Sequence, residues 1–374
     1  MNYLSLALLD AGLAGPAGPA SSKPAPEPDA GSEVTLFTSA RDGIVALTNG
    51  DNWRWAHTAL DAAGFEKADD GVHAVPLGDA DRTREVLLTL GVVAQITGAT
   101  IVPSGETYIG DFARDLAEHL PGQWNARVEN YSMRLWQGDL ADCMWSEGPL
   151  AAALDQRQVR WAAVLRREDG TELAVIRDAQ HDLYHVGALH PRTLPPDGLV
   201  PPPPGVSVPP APEAAARHIS SQLLPAYARA VLHCQVNSLE EDLDWARPAH
   251  APAPAPEPPT AELRDAFDRF TTTAPHVTAA VRDLATLTAQ QTAFLQRVDA
   301  LIAAPSPAAG APAAAAPAEP IAWWLGEGGQ GLIDLARHTV PGTEPPAPKP
   351  SAPQCASTRA LPPAPARGAP GPRR

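Results

Sequence analysis

Apolar positions recur along this chain in two rhythms, and the switches between them predict its elements. Val34-Thr-Leu-Phe-Thr and Ile44-Val-Ala-Leu-Thr are β-prone runs flanking Arg41-Asp42-Gly43, and an Asp-Gly between such runs predicts a hairpin. Trp53, Ala56, Ala59 and Leu60 then follow at helical spacing, with Asp51 or Asn52 available as a cap and Gly64 at the expected end. Phe65 to Leu77 reads as a second hairpin turning at Asp69-Asp70-Gly71. Asp79 opens a helix carrying Val86, Leu87, Leu90, Val93 and Ala94, which Gly98 stops before a β-prone stretch at 99–102. Ile109, Phe112, Leu116 and Leu120 mark the next helix, closed by Pro121-Gly122. Partial alternation predicts a strand from Trp124 to Trp136, and Gly148 to Leu154 reads as a short helix. Val159 to Leu165 and Thr171 to Ile176 form a third hairpin signal around Glu168-Asp169-Gly170, with a further strand over 184–189. Hairpins interspersed with helices predict an α+β domain at 33–190, built on a mainly antiparallel sheet with packed helices.

Past residue 190 the pattern changes to helices separated by proline. Residues 191–212, which include Pro201 to Pro204, read as a stiff polyproline II spacer. Residues 213–247 read as a helix kinked near Pro225 that packs on the domain, and 248–260 as an Ala/Pro linker. Within 261–303, the positions Val277, Ala280, Leu284, Leu287, Gln291, Phe294, Val298 and Leu301 are separated alternately by three and four residues. That is a heptad seam with one polar member, the signature of a coiled coil. About three and a half heptads are marginal for a lone helix, so this face is expected to cover its own chain, a protein partner or a second copy. A linker at 304–320 leads to an amphipathic helix at 321–339 that begins with Trp323 and Trp324. The segments 1–32 and 340–374 are expected to lack a fixed fold.

Composition sharpens this division. Pro contributes 43 residues and Gly 28, concentrated in those tracts, so the remaining chain suffices for one core of ordinary size. The formal charge is −15, and residues 33–190 hold 24 acids against 13 bases, so the predicted domain would repel a phosphate backbone. Nucleic acid is therefore an unpromising partner except through the tail, where Lys349, Arg359, Arg367, Arg373 and Arg374 face a lone acid, Glu344. Cys143, Cys234 and Cys355 are widely spaced and odd in number, which excludes a disulfide framework and fits a reducing cytoplasm. The first residues superficially resemble a secretory leader, but no base precedes Lys23 and Asp10 interrupts the apolar run. The most apolar part of the longest uncharged stretch, 87–102, is 16 residues and is broken by Gln95 and Gly98, short of the roughly 20 apolar residues needed to span a bilayer, so no membrane partner is expected.

The chemistry-bearing patterns are sparse. Gly326-Glu-Gly328-Gly-Gln-Gly331 matches the dinucleotide fingerprint letter for letter, but a proline-rich tract rather than a strand precedes it, so it reads as a glycine-rich start to a helix. Asp111, Asp115 and His119 share one helical face and read as its solvated side. His181, His185 and His190 have the imidazole density of a metal site, yet on a strand His181 and His185 would lie roughly 13 Å apart, too far to share an ion. They therefore read as surface histidines. Cys234 has only His233 beside it, on a different helical face, so no thiol nucleophile is implied. The chain has no lipase-type elbow, Walker motif, zincin motif or paired-cysteine clip, and no cofactor is expected.

The segment Asn52-Trp53, Ala63-Gly64-Phe65, Asp70-Gly71-Val72, Tyr108 to Asp111, Leu120 to Gly122, Val128 to Ser132, Leu135 to Gln137 and Asp139-Leu140 resembles a set of actinobacterial, Streptomyces-like proteins. The resemblance spans about residues 33–245 and carries no activity, cofactor or catalytic residue. It implies that Tyr108 to Asp111 and Glu129 to Gln137 are linked, with Trp136 and Trp145 near a rim.

Three functions are in play from this reading. The first is a cytoplasmic, non-enzymatic interaction or scaffold protein, binding through Val277, Leu284, Leu287, Phe294, Val298, Leu301, Trp323 and Trp324. The alternative is a hydrolase-like enzyme with an acidic pocket at Asp111, Glu129, Tyr131 and Asp139. A DNA-associated accessory role through the tail is a third.

Overall fold

Gly43 makes the first hairpin possible: its φ is +85° and a Cβ there would meet the Val75 carbonyl oxygen at 2.3 Å, so only glycine fits the turn. Strands β1 (Glu33–Ser39) and β2 (Gly43–Asn49) pair antiparallel across it. This computed structural model describes residues 32–68, 71–131, 133–194, 199–249, 260–303 and 318–339. Helix α1 (Trp53–Ala63) ends at Gly64 in the left-handed region, and β3 (Glu66–Lys67) and β4 (His73–Val75) form the second hairpin, whose turn at Asp69-Asp70 lies outside the described residues. Helix α2 (Ala80–Thr97), capped by the Asp79 side chain, crosses over to β5 (Thr100–Thr107), which runs parallel to β1. The first sheet therefore has the order β3-β4-β2-β1-β5.

Period-two alternation sorts the side chains of this sheet. Val34, Leu36, Ile44 and Ala46 face α1 and α2, while Phe37, Val45 and Leu47 face the opposite way into a second core. That second core is shared with α3 (Ile109–His119) and with one face of another five-stranded sheet. Its strands are β6 (Trp124–Asn130), β7 (Trp161–Arg167), β8 (Glu172–Asp178), β9 (Leu183–Ala188) and β10 (Val206–Val208), antiparallel throughout in the order β10-β9-β8-β7-β6. Ala163, Leu165, Leu173 and Val175 point into the shared core, where Phe112 of α3 stacks on Tyr184 with ring centroids 3.6 Å apart. Ala162, Val164, Ala174 and Ile176 face α4 (Arg134–Cys143) and α5 (Pro149–Gln156). The domain is α+β with predominantly antiparallel sheets and packed helices.

Several predicted elements differ in the fold. The strand expected over 124–136 stops at Asn130, and α4 begins at Arg134 because Gln137 is drawn inward. Its amide donates to the carbonyls of Leu154 at 2.5 Å and Arg157 at 3.0 Å, and its oxygen accepts from the Val159 amide at 2.8 Å. The spacer 191–212 is not polyproline II throughout. Val206 and Val208 are buried as β10 pairs with β9, and Gly205 donates to the Glu147 carbonyl at 2.6 Å, so two apolar side chains and a free backbone edge outweigh the proline content. The helix expected at 213–247 is α6 (Pro212–His218), a π-helical turn at Ile219–Leu223 and α7 (Leu224–Ala249). Pro225, lacking an N–H, stands at the point where the turn reverts to α.

At about 1.5 Å per residue α7 is roughly 39 Å long, which lets its start, with Tyr227, join the shared core while Leu232, Val236, Leu239 and Leu243 found another. That core is a bundle with α8 (Ala261–Leu284), α9 (Ala289–Ile302), α10 (Ala318–Trp323), a π-helical turn at Trp324–Gly328 and α11 (Gly329–Thr339). The heptad seam does not run along one helix. It is broken at 285–288, where Ala285 turns extended and Thr288 starts α9 with a capping box on Gln291. Local capping chemistry thus overrides the apolar repeat, and the chain folds the seam back on itself. Val277, Val298 and Trp324 are fully buried, Leu287, Phe294, Leu301 and Trp323 are partly buried against the bundle, and Leu284 is 39% exposed. Ion pairs Arg269–Asp242, Arg282–Asp299 and Arg337–Glu240 bracket the packing.

The glycine-rich sequence is not a phosphate loop: Gly328 meets the Trp323 ring, Gly329 meets Trp324 and Gly331 meets Phe294, so small residues admit bulky aromatics. Among the described residues no helix is long and apolar enough to cross a membrane. Of the predicted termini at 1–32 and 340–374 all but Ser32, including the basic tail and Cys355, and most of the two Ala/Pro linkers lie outside those residues.

Candidate functional site

The two sheets meet where β2 passes β6, and the seam is pinned by Asn130, whose side-chain amide donates to the Thr48 carbonyl at 2.6 Å. Above that seam lies a groove of about 480 Å³. One wall belongs to the first sheet and α1, and presents His57, Lys67 and His73. The facing wall belongs to β6 and α4, and presents Arg127, Glu129, Tyr131, Trp136 and Asp139.

Each wall has its own electrostatics. His73 is buried, and its Nε2 lies 2.8 Å from the Asp61 carboxylate. His57 sits edge-on to both Trp53 and His73, with centroids 5.4 Å and 4.9 Å away. Burial, reinforced by His73 and Lys67 nearby, holds the His57 imidazole below its ordinary pKa, so it is neutral at physiological pH. Across the groove the Tyr131 hydroxyl donates to Glu129 Oε2 at 2.8 Å. Burial first, and then the charges of Glu129, Cys143 and Asp139, push that phenol far above its ordinary pKa. Tyr131 is thus a fixed hydrogen-bond donor rather than a base or nucleophile. Asn130 Oδ1 is buried with no hydrogen-bond partner among the described residues, which leaves an acceptor at the groove floor.

Trp136 also lines a second hollow of about 410 Å³, shared with Asp51, Asn52, Trp53, Arg54, Trp55 and Met133. Trp53 and Trp136 meet edge to face at 5.2 Å and form the ridge between the hollows. Arg54 lies over the Trp53 ring and Trp55 is 60% exposed.

Of the carboxylates read as a possible acidic pocket, Glu129 and Asp139 converge with Tyr131, whereas Asp111 does not. Asp111 is 7% exposed, accepts from the Ser39 hydroxyl at 2.7 Å and the Ala40 amide at 2.8 Å, and so ties the β1–β2 turn to α3. It is also not on a solvated face, although Asp115, paired with Arg41, and His119 are. Asp111 therefore lies apart from Glu129 and Asp139 although its helix packs on β6, and Trp145 is packed between His190 and Tyr227 rather than lining the groove.

The histidines also differ from their sequence reading. His181 lies in the turn after β8, so His181 Nδ1 and His185 Nε2 both reach Asp178 Oδ2, at 2.7 Å and 3.3 Å. His185 Nδ1 contacts Ser207 Oγ at 2.9 Å, which fastens β10, while His190 lies apart against Trp145. Hydrogen bonding from His181 holds Asp178 below the ordinary carboxylate range. No group of three or more His, Cys, Asp or Glu side chains among the described residues is placed to hold a metal ion. Cys143 is exposed and Cys234 buried, and neither is in a disulfide among the described residues.

Sequence reasoning missed His57, Lys67, His73 and Asn130. The i, i+4 spacing of His57 and Asp61 and their helical company with Trp53 were legible, but the face-to-face placement of β2 and β6 was not. No protein-family model matches this chain, and no curated protein or solved structure matches it either.

Proposed function

We propose that this is a cytoplasmic, non-enzymatic interaction protein whose α+β domain receives an extended, cationic segment of a protein partner in the inter-sheet groove. The observation that carries the reading is the pair of adjoining hollows split by Trp53 and Trp136, with Trp55 and Arg54 open at the rim. Tryptophan, tyrosine and arginine around a desolvated floor are the composition of binding hot spots. Glu129 and Asp139 offer acceptors to a Lys or Arg side chain, and the surplus of acids over residues 33–190 would steer such a partner inward. Lys67 and Arg127, both exposed at the mouth, suit an acidic or carbonyl neighbour on the same segment. The odd number and wide spacing of the cysteines in the sequence support the reducing compartment.

The hydrolase-like alternative draws on the convergence of Glu129, Tyr131 and Asp139. A phenol held protonated and already bonded to Glu129 argues for recognition over proton transfer. The DNA-accessory reading rests on a tail outside the described residues and on no feature of the groove.

The test is a titration of hexalysine and hexaglutamate peptides into the full chain, followed by tryptophan fluorescence. Saturable, salt-sensitive binding of hexalysine alone, weakened about tenfold or more in Glu129→Gln/Asp139→Asn, is expected. Equal response to both peptides, or none to either, removes the reading. Ester turnover lost in Glu129→Gln would favour the hydrolase.

A further inference from the structure

Helix α2 carries apolar side chains on both of its sides. Val86, Leu87 and Leu90 are buried against the first sheet, but Leu88, Val92 and Ile96 face out at 45%, 58% and 79% exposure. They are four residues apart, so they form one line over about 12 Å of helix. Isolated surface leucines need no explanation, but three successive turns of Leu, Val and Ile on one outer face make a continuous strip. The neighbouring edge strand β5 is not part of it: Pro103 and a register shift between Leu36 and Thr38 blunt that edge against strand addition.

The way the chain arrives indicates what covers the strip. The Ser32 carbonyl accepts the Thr100 amide at 2.8 Å, and Thr100 follows Gly98, which caps α2 directly beyond Ile96 and Thr97. The first 31 residues, which lie outside the described ones, therefore join the fold at the Ile96 end of the strip. Their sequence has two parts. Residues 14–31 are dominated by Pro, Gly, Ala and Ser and can reach roughly 55 Å if extended at about 3.1 Å per residue. Before them, Leu6, Leu9 and Leu13 sit at i, i+3 and i+7, which on a helix form an apolar stripe about 10 Å long.

We infer that residues 3–13 dock intramolecularly on the α2 strip, with Leu6, Leu9 and Leu13 against Leu88, Val92 and Ile96. The lengths agree, the tether is ample, and a tether of this kind holds its cargo at an effective concentration around the millimolar range, which lets a small contact form that could not form between separate molecules.

The experiment places benzoylphenylalanine at Ile96 of the full chain, a site exposed enough to accept it, and irradiates at low micromolar concentration. Mass spectrometry is expected to find an adduct within one chain, joining α2 to residues 3–13, and Leu6→Glu/Leu9→Glu should lose it. That same variant should bind an apolar fluorescent dye more strongly than the parent, and adding Val92→Asp should cancel the increase. Adducts only between two chains would assign the strip to a second copy and overturn the inference. The absence of any adduct from the first 31 residues, with dye binding unchanged by Leu6→Glu/Leu9→Glu, overturns it as well.

Discussion

In the helical bundle nearly every apolar side chain that the repeat offers is taken up inside: Val277 and Val298 are fully buried, Ala280, Leu287, Phe294 and Leu301 are partly buried against them, and among the seam positions Leu284 alone is substantially open. In the α+β domain, Trp55, Leu88, Val92, Ile96 and Leu135 remain exposed although the two sheets already have full cores on both faces. The regions are joined through α7, so the contrast is not one of separate proteins. A strict repeat gives each helix a complementary neighbour, and a strip that matches its neighbour is consumed by it. The irregular apolar positions of the domain have no such neighbour among the described residues: Trp55 stands at the rim of the proposed partner groove, and Leu88, Val92 and Ile96 form the strip assigned to residues 3–13.

The contrast can be broken most severely at Trp324, which is fully buried with Phe267 and Phe270 at 5.6 Å and 5.5 Å. Trp324→Ala should cost about 3–5 kcal/mol. Hydrogen exchange should show α8, α9 and α11 losing protection while β7 and β8 keep theirs. Equal loss in the strands would mean that α7 welds both regions into one cooperative unit.

Asp111→Ala strips the buried partner from Ser39 and Ala40 and should lower stability by about 1–3 kcal/mol in a urea titration. Asp115→Ala, on the solvated face, should change it by less than about 0.5 kcal/mol.

Glycine substitution compares the two interiors directly. A Cβ at Gly110 would meet the Tyr108 ring at 2.3 Å, and one at Gly328 would meet the Trp323 ring at 2.2 Å. Overpacking of this kind costs roughly 1–3 kcal/mol. Tyr108 is fully buried and Trp323 only partly, so Gly110→Ala should depress Tm more than Gly328→Ala.

His57 supplies a pH test confined to the domain. Its folded-state pKa lies below its unfolded value near 6.5, so the unfolded chain binds the extra proton. Its contribution is complete above that value and is lost as pH falls through the lower, folded one. His57→Gln should therefore flatten the decline in Tm below about pH 6.5 and leave Tm near neutrality little changed. A parallel decline in both proteins would remove His57 as the cause.

The smallest effect belongs to Leu284→Ser. If the seam is used within the chain, stability should move by less than about 0.5 kcal/mol and the mass by light scattering not at all. A fall from dimer to monomer would restore intermolecular packing to that face.

Much of the fold was legible because its signals are local. Gly43, Gly64, Asp79 and Gly98 mark their turns and helix ends through conformational and capping preferences that hold in any context. The α+β class followed from the order of hairpins and helices. Part of the candidate site was legible too, since Glu129, Tyr131 and Asp139 share a short stretch of β6 and α4. His57 and His73 were not, because they reach the groove through the pairing of β4 with β2 and the meeting of β2 with β6.

By itself the sequence determined where elements begin and stop and which of their faces are apolar, since capping and periodicity act over a few residues. Only the tertiary structure decided what each apolar face meets. It folded a heptad seam back on its own chain at Thr288, drew Val206 and Val208 out of a proline-rich tract into a sheet, and brought His181 and His185 to one carboxylate. The physical reason is common to all three: burial and hydrogen bonding are satisfied by whichever partner the whole chain brings within reach, and that partner is not written beside the residue that needs it.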